Sequence, residues 1–541
     1  MASPVGYLPV EGTERQRRPD HKQLATMSES EPIQVTMIVR RRPDGSAKRM
    51  AEGKGTRPIS RDEFRETHGA DPNELNEVAS FATSLGLTVI ESNPSRRAVV
   101  VRGKAADFDR AFGVTLHDYQ TPTQRYHGHE GSAFVPKELA GKIEAIIGLD
   151  NQQVPAVHHA VATAMPSADP ANTQPLTPMQ VASLYNFPAG TGQGQTIGIY
   201  EMATSDGPPG FAAQDVADTM NGFGGGLTVP KPIAVEVDGQ RNSGTSDAET
   251  LLDITVSAAI AQQATIAVYF TKGSTQGIIR ALQTMIHPTN GDPVPTVISI
   301  SYGWGPDDSV KDGISKREYQ EMDQLFQDAQ SLAITVLVSS GDSGAQIASQ
   351  TDAQASFPAT DPWVTACGGT TIGNVSGAAF TEYVWNDVGA GGPGATGGGI
   401  SARFPIPTYQ SGLTLPVQNV TNKPGRGIPD LAGNASENSG YPLSMQGQSQ
   451  PVGGTSAVAP LYAGLIAVIN SNLGSPSGFI NPIIYGAGAT AFRPISGPPG
   501  PANNSFGAVT GYPASAGWNA CTGLGSVNGT ALQAAIQAAK A

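Results

Sequence analysis

Three short runs, Ile266–Phe270, Val297–Ser301 and Ile334–Ser339, are apolar and rich in β-branched residues. They lack the polar alternation of a strand that wets one face, so each has to be covered on both sides. Thr196–Tyr200 reads as a further strand, and helical spacing covers Ala248–Gln262, 275–287 and 317–331. Strands and helices that alternate in this way imply an α/β fold with a mostly parallel sheet. Ligand sites in such sheets lie outside the carboxyl ends of the strands.

The segment ahead of this pattern reads differently. Residues 1–30 are polar and irregular, which predicts a disordered tail. Residues 31–150 carry strands at Ile33–Val39, Leu87–Glu91, Ala98–Val101 and Val114–Tyr119, with helices at Glu74–Leu85, Ala105–Phe112 and Lys137–Ile147. That order is close to a ferredoxin-like α+β unit with an extra terminal helix. Residues 151–176, rich in Ala, Pro, Ser and Asn, read as a linker open to cleavage, and 177–541 as the larger domain.

Charge divides along the same boundary. Residues 1–160 hold 21 basic and 21 acidic residues, which leaves 12 and 25 of the chain's 33 and 46 for the remainder. The net charge of -13 therefore belongs to the larger domain. With so few basic groups it gains little positive self-repulsion when its carboxylates take up protons, which suits work in acid. No basic stripe for nucleic acid and no apolar run of membrane-spanning length stands out. Cys367 and Cys521 fit no metal spacing, and sequence leaves their pairing open.

In Gly453-Gly454-Thr455-Ser456-Ala457-Val458-Ala459-Pro460 a glycine turn leads into an apolar helix, with Ser456 at its N-terminus. Ser456 is there either a helix cap or a nucleophile near free N–H groups. An ordinary serine hydrolase would pair it with histidine. Seven of eight histidines fall in the first 160 residues; His287 alone lies in the larger domain, without an acidic neighbour pattern. Glu249 and Asp253 are the substitute, one turn apart on an otherwise apolar helix, and either a surface pair or an acid–base pair with raised pKa values. Asp342 follows a buried strand in Ser340-Gly341-Asp342-Ser343-Gly344, either as a turn residue or as a neutral acid that donates to an oxyanion. Gly397-Gly398-Gly399 is either a flexible loop or a place where substrate backbone passes close.

Taken together, Glu249-x-x-x-Asp253, Ser339-Ser340-Gly341-Asp342-Ser343-Gly344 and Gly454-Thr455-Ser456-Ala457-x-x-Pro460 resemble the sedolisins, or serine-carboxyl peptidases, and their kumamolisin-like members in particular. Matching stretches surround Cys367-Gly368-Gly369-Thr370, Gly397–Ser401 and Cys521–Gly525, and Thr67-His68-Gly69-Ala70 resembles the activation prodomain. The resemblance implies a subtilisin-like catalytic fold behind an inhibitory prodomain, and a self-processing, acid-active endopeptidase. Ser456 would be nucleophile, Glu249 the general base and acid, Asp253 its orienting partner and Asp342 part of the oxyanion hole. Glu201, Tyr302 and Trp304 would extend the proton network, and Gly397, Gly398, Gly399 and Ser401 would bind substrate.

The resemblance also implies a calcium site, and here the chain departs from the pattern. Pro494-Ile495 and Gly517-Trp518-Asn519 stand where the family carries carboxylates. Calcium prefers six or more hard oxygens, charged ones above all, so the site is expected to be empty or weak, with no cofactor required. The expected partners are protein or peptide substrates and the chain's own prodomain, acting on an extracellular monomer. Ser356, ahead of Phe357-Pro358, offers no charge for basic side chains. Two other readings are a histidine-dependent protease using His287 and a non-catalytic binding protein on the same scaffold.

Overall fold

The computed structural model describes residues 5–16, 21–42, 58–153, 160–161, 172–204, 207–289, 291–306, 314–347, 351–388, 392–497 and 502–541. In the first domain, Thr88–Asn93, Ala98–Lys104, Pro32–Val39 and Ile143–Ile147 form, in that spatial order, one antiparallel sheet. The order and the two helices Pro72–Ser84 and Ala105–Phe112 are those of a ferredoxin-like unit. Asp71 caps the first helix by accepting from Asn73 N–H at 2.8 Å, and Gly113 closes the second at a φ of 60°.

Two expectations change here. The helix read over Lys137–Ile147 is instead a turn followed by the strand Ile143–Ile147, which pairs with Thr36–Val39. Pro32–Val39 would otherwise be an open, buried edge, and that pairing outweighs the local helical pattern. The tail is not uniformly disordered either: Tyr7–Pro9 pairs with Phe134–Pro136, and Lys22–Thr26 with His117–Gln120. Most of the linker, including His158 and His159, lies outside the described residues.

The larger domain is organised by one ten-stranded sheet. Its path runs Ile233–Glu236, Thr265–Thr271, Thr196–Met202, Val297–Ile300, Thr335–Ser339, Thr365–Ser376, Leu431–Asn434, Ser526–Val527, Phe492–Arg493. Every neighbouring pair is parallel except the last, and Ala379–Val384 folds back antiparallel on Thr365–Ser376. The chain leaves the central strand Thr196–Met202 toward one edge and returns on its other side as Val297–Ile300. That reversal opens a crevice at the carboxyl ends of these strands. The expected α/β, subtilisin-like order is thus present.

Two helices cross the inside of this domain. Ala248–Ile260 is buried from Glu249 onward, and Val458–Leu473 is buried through Asn470. The stretch Thr455–Leu473 is apolar enough, at 19 residues, to cross a membrane by length and composition, and 83% of its most apolar window is buried inside the fold. It is a core helix, and its apolar character is spent on packing. The two helices meet at Gly464, where an added Cβ would lie 2.7 Å from Ile260 Cβ and 3.0 Å from the Ser257 carbonyl oxygen.

The domains meet through prodomain arginines. Arg15 pairs with Glu318 at 2.8 Å, Arg41 with Asp328 at 2.6 Å and Arg97 with Glu321 at 2.5 Å, all on the helix Lys316–Ser331. Arg280 of the larger domain answers with Glu91 of the prodomain at 2.6 Å. Because helix contact at Gly464 leaves no room for a methyl group, Gly464→Ala is expected to destabilise the protein by about 1–3 kcal/mol. Denaturant unfolding checks this; an unchanged midpoint would show that the helices can part at no cost.

Candidate active site

Local structure brings Ser456 into the crevice. Gly454 takes a φ of 100°, open to glycine and strained for other residues, and Thr455–Ala457 makes one 3₁₀ turn before the helix begins at Val458. Ser456 is fully buried and does not cap the helix. Its hydroxyl donates instead, at 3.4 Å, to the carbonyl of Ser301, just beyond the strand Val297–Ile300. The cap reading therefore falls away.

Ser301 returns the contact. Its hydroxyl lies 2.9 and 2.8 Å from the two Asp253 carboxyl oxygens and 3.3 Å from the Ser456 carbonyl. One side chain thus ties the acid helix to the serine turn. The helix itself starts where Asp247 accepts from Thr250 N–H at 2.8 Å; the second Asp247 oxygen accepts from Gly210 N–H at 2.7 Å. That start sets the phase that turns both Glu249 (2% exposed) and Asp253 (0% exposed) inward. They are a buried pair, not the surface pair that was the alternative. The helix also packs against the Thr455–Ala457 turn.

Burial, and then the neighbouring Glu249, hold the Asp253 carboxyl well above the ordinary range. Glu201 at the end of the central strand is raised in the same way, by burial first and by Asp253 next. Two like charges taken out of water cost more than one, so this cluster keeps protons that exposed carboxyls would release. Tyr302 Oη donates to Glu201 at 2.7 Å, so the expected link to the proton network exists through a phenol. Trp304 does not take part in it. Its ring stands edge-on to Tyr200 and tilted against Phe357, and its N–H has no hydrogen-bond partner.

On the opposite side, Asp342 reaches across rather than closing its own turn. One of its oxygens accepts from both Thr455 N–H at 2.8 Å and Thr455 Oγ1 at 2.7 Å, while Thr455 Oγ1 accepts from Gly341 N–H at 3.0 Å. That oxygen is therefore committed to Thr455, and the other, Oδ2, is buried. Ser301 and Thr455 hold the site together, and neither carried a role in the sequence reading. Ser-Ile-Ser after a buried strand and Thr before Ser456 were the available signals.

The glycine run is not a loose loop. A Cβ at Gly397 would lie 2.1 Å from the Ser340 carbonyl oxygen, and one at Gly398 2.0 Å from that of Ala520. Gly397 N–H donates to Gly341 O at 2.6 Å, and Gly399–Ile400 pairs with Gly427–Ile428. These glycines let chain pack on chain. Gly398 lines the cavity beside Asp342, whereas Ser401 Oγ accepts from Phe404 N–H at 2.8 Å and serves its own turn. His287 is engaged elsewhere: Nε2 lies 3.0 Å from Asp328 and its ring 4.7 Å from that of Phe64 in the prodomain. Cys367 and Cys521 are buried free thiols, and burial pushes Cys521 up to about 12.

Comparison with known proteins finds relatives along nearly the whole chain. The family profile described as pro-kumamolisin, activation domain matches residues 19–152, and that of the subtilase family matches residues 235–479. Kumamolisin of Bacillus sp. strain MN-32 is 35% identical over 97% of this chain and 95% of its own. Tripeptidyl-peptidase sed5 of Aspergillus fumigatus is 30% identical over 96% of each. Among solved structures, Pseudomonas sedolisin, a serine-carboxyl proteinase complexed with two molecules of pseudo-iodotyrostatin, superposes with a TM-score of 0.55 at 28% identity. That match covers 68% of this chain and 99% of sedolisin.

The region where the resemblance implies calcium is built for something else. Asn519 Nδ2 donates to the carbonyls of Ile495 and Ser515, each at 3.1 Å, and its Oδ1 accepts from Cys521 and Thr522 N–H. An N–H₂ group thus occupies the carbonyls a cation would need, the Pro494 side chain brings no ligand atom, and Gly517 has no side chain. Among the described residues no group of three or more His, Cys, Asp or Glu could hold a metal. These residues do not fit calcium. Millimolar calcium is expected to leave the melting temperature of the protein unchanged; a clear rise would mean that the loop reorganises to bind it.

Proposed function

The chain belongs to the sedolisin family of serine peptidases and carries that family's activation prodomain, and from this premise we propose that it is an acid-active endopeptidase made as a self-processing zymogen. The reading rests on the bonding around Ser456: Ser301 joins it to Asp253, and the preceding Thr455 is bonded twice to Asp342. Glu249 accepts the Ser456 proton as the hydroxyl attacks a peptide carbonyl. Asp253 orients Glu249, and Glu201 with Tyr302 continues the proton network. Asp342, protonated on Oδ2, donates to the oxyanion beside a backbone N–H at Ser456. Glu249 then protonates the leaving amine, and water hydrolyses the acyl-enzyme with the roles reversed.

The pH dependence follows from the direction of the shifts. Asp253 and Glu201 hold protons above the ordinary carboxyl range, so this network is neutral and intact in acid. As pH rises through their raised values they ionise against one another, and both stability and the proton inventory of the site are lost. Family membership and the acidic composition favour an extracellular enzyme.

Zymogen maturation calls for a cut between the domains. Backbone pairing sets Ala160–Val161 antiparallel to Val452–Gly453, the strand that leads into the Ser456 turn. The docked prodomain covers the helix Lys316–Ser331, whose carboxylates it neutralises with arginines.

Two experiments test the proposal. Self-cleavage is expected to peak in acid and disappear in Ser456→Ala, and an active-site-directed aldehyde or fluorophosphonate should label Ser456 alone; an alkaline optimum refutes the mechanism. Asp342→Ala should lower kcat by about 100- to 1000-fold, while Asp342→Asn, a neutral donor at any pH, should move the alkaline limb upward. The second concerns His129, pushed down to about 4 by burial and by Arg15, which pairs with Glu318. We propose that release from the larger domain restores the ordinary histidine value of 6.5, so that docking weakens as pH falls toward about 4. His129→Gln should therefore mature at lower pH than the parent, and maturation at an unchanged pH excludes this contribution.

A further inference from the structure

Beside Asp342 the fold encloses a small cavity of about 100 Å³, with Trp304, Ser340, Gly341, Gln354, Ser356 and Gly398 in its wall. Two of these side chains hold buried polar atoms that pair with nothing. Trp304 is 1% exposed and its indole N–H has no acceptor; Gln354 is 7% exposed and its Oε1 has no donor. Neither is loose. Trp304 pairs through its backbone with Phe357 and is flanked by the rings of Tyr200 and Phe357. Gln354 N–H donates to Ala345 O at 2.8 Å, and Ser356 Oγ donates to Ser340 O at 3.2 Å.

Buried polar atoms are nearly always paired, so two orphans in the wall of one cavity beside a catalytic acid point to a partner that arrives from outside. The wall presents one fixed donor and one carboxamide, which can offer its oxygen or its N–H₂ to the cavity. Apart from Asp342 its described lining residues carry no charge. A lysine, arginine or carboxylate would bury an unanswered charge there, and an aliphatic side chain would leave both orphans unpaired. A primary carboxamide answers both at once, through its oxygen and its N–H₂.

We propose that this cavity is a specificity pocket for a substrate side-chain carboxamide, that of Gln or Asn, at a position next to the scissile bond. Trp304 Nε1–H donates to the substrate carboxamide oxygen, and Gln354 accepts from its N–H₂. The pocket deepens the peptidase reading and rests on it. Ser356, small and uncharged, leaves room for the group and adds no competing ion pair.

The test is digestion, at acid pH by the matured full-length product, of a peptide library randomised on both sides of the cut, with product sequencing. One position adjacent to the cut should be enriched in Gln and Asn. For matched peptides differing only there, the Gln-to-Leu ratio of kcat/KM should fall about 10- to 100-fold in Gln354→Leu. Trp304→Phe, which keeps the ring and deletes the N–H, should lower the same ratio and serves if the first variant does not mature. Cleavage without carboxamide preference, or a preference that survives either variant, overturns the pocket and leaves the peptidase reading standing. Absence of cleavage and of Ser456 labelling overturns both.

Discussion

Two carboxyl groups one turn apart on a helix buried along almost its whole length are the constraint from which the rest of this structure follows. Glu249 and Asp253 are out of water, and nothing in the immediate turn is basic. A buried pair of this kind is stable only while it holds protons or finds donors. Ser301 supplies a donor to Asp253, Tyr302 supplies one to Glu201, and burial raises the affinity of the cluster for protons. Burial thus makes the Asp253 and Glu201 carboxyls cling to protons that exposed carboxyls would release.

The packing around the helix serves that pair. Gly464 allows Val458–Leu473 to press against it, and the same helix carries Ser456 at its leading turn. The serine and its acids are thus fixed relative to each other by one close helix contact and by the Ser301 hydroxyl. On the far side the Asp342–Thr455 bonds do the equivalent work for the Asp342 carboxyl. The prodomain extends the logic outward: its arginines pair with a row of carboxylates on Lys316–Ser331.

Much of this was legible in the chain itself. The buried β-branched runs named the sheet, and the i, i+4 spacing put Glu249 and Asp253 on one face. The scarcity of histidine in the larger domain turned attention from His287 to carboxylates. Errors fell where long-range pairing outweighed local pattern. Ile143–Ile147 is a strand because Pro32–Val39 needs a neighbour, and Tyr7–Pro9 is ordered because Phe134–Pro136 offers an edge. Trp304, read as part of the proton network, belongs instead to the wall of a cavity, since its neighbours Tyr200 and Phe357 come from strands distant in the sequence.

Residue types and spacings along the chain determined the α/β architecture and put Glu249 and Asp253 on one helix face, because these depend on periodicity, while short motifs resembling the sedolisins singled out Ser456 and Asp342 as candidates. Tertiary structure alone decided what joins them. Ser301 bridging Asp253 and Ser456, Thr455 holding Asp342, Asn519 filling the place of a cation, and the unpaired Gln354 and Trp304 all depend on segments brought together by the sheet crossover. Hydrogen bonds act over about 3 Å, and that distance between residues far apart in sequence exists only after the chain has folded.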